Sequence, residues 1–189
     1  MKSVKYLSFF LYFFVGALIF TQGSYAENTT NMSSEHMQKP NKKEGEILGT
    51  LSVVNKNEIA AAELAMKKSS NPQVKSYAKM LKKQHTQNLN EGSKLAKKLG
   101  ITPIKNDKAK SLQKKGEQEL HKLSSLNGKD FDKAYMKAMV KGHTDVLNMV
   151  DNKILPNVSN PTLKSFVEST RSHIQMHLDQ GEKIQNELK

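Results

Sequence analysis

The sequence predicts an all-α protein, a four-helix bundle with an additional crossover helix between helices two and three. Three observations carry this. Apolar residues recur three and four apart along four long segments, the period of an amphipathic helix. The breaks fall at Asn71-Pro72, Gly100, Pro156 and Pro161, residue types that stop or open helices. No run alternates apolar and polar residues, and no Asn-Gly pair joins β-branched stretches, so strand signals are missing.

The first helix is expected over 46–68, with the stripe Leu51, Val54, Glu58, Ala61 and Ala65. The second opens at Pro72, a favourable first helical position, and runs to Leu99 before the stop at Gly100. Its stripe is Val74, Ala78, Leu81, His85 and Leu89. The third opens near Asn127-Gly128, with Asp130 a candidate cap, and runs to Ile154. Its stripe is Phe131, Tyr135, Met139, His143, Val146 and Val150. The fourth opens near Pro161 and carries Leu163, Phe166 or Val167, Thr170, Ile174, His177, Gly181, Ile184 and Leu188. Thirty residues separate Gly100 from Phe131, far more than the roughly 2 to 8 of an ordinary bundle loop. Leu112, Leu120, Leu123 and Leu126 keep helical spacing there, so a crossover helix is expected over 108–126. A helix of about 18 residues spans roughly 27 Å, enough to travel the length of the bundle. A long crossover after the second helix is ferritin-like connectivity.

Residues 1–26 read as a secretory signal peptide. Lys2 and Lys5 form a basic start, Leu7 to Phe20 is apolar apart from Ser8, and Ser24-Tyr25-Ala26 fits the small-x-small cleavage rule. Cleavage after Ala26 would leave a chain with no transmembrane helix, exported to the periplasm or cell envelope. Residues 27–44, rich in Asn, Ser, Thr and Lys, read as a disordered leader, and 45–189 as the bundle.

The net charge is +12, with 30 basic residues against 18 acidic, and only Arg171 is an arginine. Lysine pairs off the apolar stripes give a solvated face, with an anionic envelope surface as the sharper alternative partner. Nucleic acid is not expected as a partner: the arginine fork and base-stacking aromatics are lacking. The absence of cysteine excludes disulfides, thiolate metal sites and cysteine nucleophiles. No Gly-rich phosphate loop, nucleophile elbow or His-Glu-x-x-His motif occurs.

The chemistry-bearing residues interrupt the stripes. Each helix carries one ionisable group on its core face: Glu58, His85, His143 and His177. Glu58 lies 13 residues before Asn71, His85 13 after Pro72, His143 12 after Phe131 and His177 16 after Pro161. All four therefore fall near mid-helix, and they are expected to converge in the bundle centre. Burying four such groups separately is costly, whereas together they can pair or hold a metal. One carboxylate and three imidazoles suit a single Zn, Fe, Mn or Cu ion. The alternative is a metal-free Glu–His hydrogen-bonded cluster that only fixes the fold. His173, one turn before His177, is either a further ligand or a flanking residue.

Several stretches together resemble one bacterial family. They are Glu-Ile-Ala-Ala-Ala-Glu-Leu-Ala (58–65), Val-Lys-Ser-Tyr-Ala-Lys-Met-Leu-Lys-Lys-Gln-His (74–85), Leu-Asn-Gly-Lys-Asp-Phe-Asp-Lys-Ala-Tyr (126–135), His143 and His177-Leu178. They are similar to domain-of-unknown-function family 4142 (DUF4142), placed in the ferritin-like superfamily and often labelled a predicted outer membrane protein. The resemblance covers about 45–188 and implies an exported bacterial bundle without an established activity. The family's usual Asp-His pair on the second helix is Gln84-His85 here. Ferritin-like di-iron sites use Glu-x-x-His on two helices, but Lys82, Val140 and Ile174 precede the three histidines at that spacing. A bridged di-iron centre is therefore not expected, and no reaction is legible. Two functional classes follow: a metal-binding bundle related to stress or redox chemistry, and a non-catalytic envelope interaction protein.

Overall fold

The computed structural model describes residues 31–188, with side chains from residue 41; the expected signal peptide lies outside these residues. The described chain is helical without strands: α1 (Asn31–Lys68), α2 (Pro72–Leu99), α3 (Asp107–Ser124), α4 (Gly128–Met149) and α5 (Pro161–Glu187). A π-helical turn (Val150–Ile154) and a 3-10 turn (Leu155–Asn157) follow α4. The helix ends follow from local chemistry. The side chains of Asn71, Asn106 and Asn160 accept backbone N–H bonds at the starts of α2, α3 and α5. Gly100 stops α2 at φ 66°, a left-handed conformation that costs glycine nothing.

The core is two apolar clusters with a polar layer between them. One joins Ala65, Val74, Leu81, Leu123, Phe131 and Ile184; the other joins Leu48, Ala96, Val150, Leu163 and Ile174. Their order along each helix fixes the directions. Helices α1 and α5 run one way, and α2 and α4 run the other. Since α2 and α4 are parallel, the chain must return between them, and α3 is that return. It lies against α1, where Asn57 Nδ2 donates to the Leu112 carbonyl at 2.9 Å. The four-helix bundle with a crossover is as the periodicity predicts.

Three boundaries differ from expectation. Helix α1 is already formed at Asn31, where the described residues start, and takes in 31–44 of the segment expected to be a disordered leader. Farther along, Glu44 is buried: Ser159 Oγ and the Asn160 N–H donate to its Oε1 at 2.8 and 2.7 Å, tying α1 to the start of α5. The third main helix is regular only to Met149, because the wider turn that follows keeps Val150 and Ile154 buried ahead of Pro156. Arg171 pins this turn to α5 through a two-pronged pair with Asp151, Nη2 to Oδ2 at 2.9 Å. The third cap is Asn127 rather than Asp130, which sits in the first turn of α4.

The loop after α2 closes on a flat face of α1 made by Gly45 and Gly49. The Ile104 N–H donates to the Gly45 carbonyl at 2.8 Å. A Cβ on Gly49 would stand 2.0 Å from the Ile104 carbonyl oxygen. Gly49→Ala is therefore expected to lower stability by about 1–3 kcal/mol, the usual cost of overpacking. Urea unfolding of the two proteins checks it, and equal midpoints would show that the loop does not pack there.

Candidate metal centre

The polar layer is built around three imidazoles from three helices. His85 of α2, His143 of α4 and His177 of α5 are 6 %, 2 % and 1 % exposed. Their ring centroids stand 5.0–5.8 Å apart, and one ring nitrogen from each lies within 4.8 Å of the others.

Hydrogen bonding fixes which nitrogen of each ring carries its proton. Thr170 Oγ1 donates to the Phe166 carbonyl, so its oxygen accepts from Asn88 Nδ2 at 2.8 Å. Asn88 Oδ1 then accepts from Asn55 Nδ2, and Asn55 Oδ1 from His85 Nδ1, both at 2.8 Å. This chain, anchored on a backbone carbonyl, leaves the His85 proton on Nδ1. His143 Nδ1 donates to the Met139 carbonyl at 2.8 Å, and His177 Nε2 donates to Gln84 Oε1 in a short contact. The remaining nitrogens, His85 Nε2, His143 Nε2 and His177 Nδ1, are buried with no hydrogen-bond partner. Three bare lone pairs cannot satisfy one another, since none has a proton to give.

Burial sets the charge state. It holds the His85 ring well below the usual histidine range, helped by His143, His177 and His173. His177 is lowered to about 3 by burial first, then by His143 and His173. These causes keep the His85 and His177 rings neutral, the form that ligates a metal.

Glu58 stands beside this trio rather than within it. Its stem is half-buried, but Oε2 is fully buried without a partner. Burial pushes its carboxyl up, against the lowering pull of His143. The same carboxyl, second to burial, raises Tyr77 and Tyr135. Tyr77 donates to the His177 carbonyl at 2.9 Å, with Gly181 leaving room for its ring, while Tyr135 Oη has no partner. The four residues singled out from sequence thus reach one level, with the histidines in closest convergence. His173 is exposed and lines a small crevice with Gln84, His85 and His177, outside the close trio.

The residues that orient the trio are mostly ones the stripes do not reveal. Asn55 lies three residues before Glu58 and Asn88 three after His85, so a polar residue one turn from a core ionisable group was the available signal. Gln84, where the resembled family carries Asp, accepts from His177 rather than serving its neighbour His85. Imidazole ligands characteristically donate their second N–H to a carbonyl or carboxylate in this way.

The donor set fits one small cation. With bonds of about 2.0–2.1 Å, tetrahedral ligand nitrogens stand about 3.3 Å apart, so the present separations close on an ion by small ring movements. No second carboxylate stands with Glu58 in this layer among the described residues, so a bridged pair of irons lacks its ligands.

The chain is similar in fold to a DUF305 protein of Streptomyces coelicolor, with TM-score 0.66 and 12 % identity over 77 % of this chain and 93 % of that one. At that identity the likeness concerns the helical architecture alone. Comparison with curated proteins finds no match. The model of the family described as domain of unknown function, DUF4142, matches residues 29–184, and on that match the chain belongs to the DUF4142 family.

Proposed function

We propose that the protein is an exported metal-binding bundle in which His85, His143 and His177 hold a single transition-metal ion, with Glu58 beside them as the oxygen donor. The observation that carries this reading is the set of three buried, proton-free ring nitrogens, each fixed by a hydrogen bond on its other side. Among the three rings no proton is left to satisfy these nitrogens, and a bound cation would satisfy all three at once. Nitrogen-rich ligation favours Zn and Cu over Mn, with Fe between. Burial pushes the Glu58 carboxyl up while His143 pulls it down, and ligation requires its ionised form, so affinity is expected to fall as pH drops.

Titration of the metal-free protein with Zn2+ tests this, and one ion per chain is the expected endpoint. Absence of binding, or binding unchanged when His85 and His143 are both replaced, contradicts it. Export rests on the pattern of residues 1–26, and no described helix is long and apolar enough to cross a membrane. Intact mass of exported material is expected to begin at Glu27; a species retaining residues 1–26 counts against cleavage.

A further inference from the structure

A second feature of the fold is a groove lined in part by Glu58 but by none of the three histidines. Helix α3 leans on α1 and leaves a groove between itself, α1 and α4, of about 630 Å³. Ala134, Ala138 and Gly142 repeat every four residues along α4, and with Ala61 of α1 they keep the floor low. Leu112 and Leu120 of α3 form the far wall. The volume lies within the roughly 300–1,000 Å³ of small-molecule sites. No aromatic residue lines it, so it offers aliphatic contact rather than ring stacking.

The rim is basic. Lys115, Lys122, Lys137 and Lys141 line the groove against the exposed carboxylates of Glu119 and Asp145. Lys122 pairs with Glu119 at 3.9 Å, and Lys141 pairs with Asp145. Lys115 and Lys137, one on each wall, have no ion-pair partner among the described residues. Two unpaired cations above an aliphatic trough call for a ligand with one anionic end and one apolar end.

We propose that the groove between α1, α3 and α4 binds a small aliphatic carboxylate, its chain along Ala61, Ala134 and Ala138 and its carboxylate between Lys115 and Lys137. A nucleic acid does not fit the same features, because the groove offers neither a stacking ring nor an arginine. The site goes beyond the metal reading: Glu58 lines the groove, but the lysines and alanines that would hold the ligand are not in the metal set.

Titrating decanoate into the full mature chain, followed by methyl and amide NMR, tests the proposal. The expected result is saturable shifts confined to the groove residues. The double change Lys115→Gln with Lys137→Gln, both exposed, is expected to weaken decanoate at least fivefold and leave decanol binding unchanged. Ala138→Trp fills the trough and is expected to abolish both. Because the lysine variant touches no buried residue, it remains informative if the tryptophan variant fails to fold. Absence of groove shifts, equal decanoate affinity in the lysine variant, or equally tight decyltrimethylammonium binding overturns the proposal. So does sedimentation showing that a second copy of the chain occupies the groove.

Discussion

Replacing His143 with Ala is expected to remove tight metal binding while leaving the bundle folded. A four-ligand zinc site is worth about 10–16 kcal/mol, so one lost ligand costs about 3–4 kcal/mol, or roughly 10²–10³ in affinity. His143 is the informative position because its second nitrogen serves only the Met139 carbonyl of its own helix. Its loss strands no side chain elsewhere. His85→Ala differs, since it leaves Asn55 Oδ1 without its donor and loosens the chain through Asn88 to Thr170. That variant is expected to lose metal and also about 1–3 kcal/mol of stability, the cost of an unsatisfied buried group. A third variant separates metal from packing. His143→Leu fills the space without a lone pair, so the metal-free protein should be as stable as the parent or more so. The rise in Tm produced by Zn2+ should then vanish. Paired thermal unfolding with and without Zn2+ reads all three, and an undiminished Zn2+-induced rise in His143→Leu would refute ligation by this residue.

Acid is expected to destabilise the metal-free protein well before its carboxylates titrate. The folded-state values of His85 and His177 are lowered, so between the unfolded value near 6.5 and the folded value the unfolded chain binds the extra protons. Their stabilising contribution is full above 6.5 and is lost as pH falls, for His177 down to about 3. The slope is about 1.4 kcal/mol per pH unit for each such histidine. Glu58 acts in the opposite sense. Its folded value is raised, so its contribution is present below the unfolded value of 4.5 and lost as pH rises through the folded one. Two histidines against one carboxyl leave a net loss of stability from pH 6.5 towards 4.5. Urea unfolding across that range should show it, and His85→Leu with His177→Leu should flatten it. A profile flat in the parent would mean that the imidazoles are not held neutral.

Much of the architecture was legible because helical periodicity and helix stops are local signals. Pro72, Gly100 and Pro161 mark real boundaries, and the excess length between Gly100 and Phe131 does conceal a return helix. The four core-face residues were legible for the same reason: a charged or imidazole side chain breaks an apolar stripe visibly. What was not legible depends on tertiary contact. Nothing in the composition of residues 31–44 separates a leader from a helix, and the contact of Glu44 with Ser159 and Asn160 joins residues more than a hundred apart. Asn55 and Asn88 lie off the stripes as read, and their role appears only once α1, α2 and α5 meet. Glu58 shares the level of the histidines but not their close convergence, because depth along a helix is set by sequence whereas rotation about its axis is set by packing.

X-ray absorption at the metal edge of Zn2+-loaded protein tests the central claim most directly. Three imidazole nitrogens at about 2.0–2.1 Å with one oxygen donor is the predicted shell, reduced to two imidazoles in His143→Ala. An oxygen-only shell, or a second metal at about 3.5–4 Å as in two-metal sites, would contradict it.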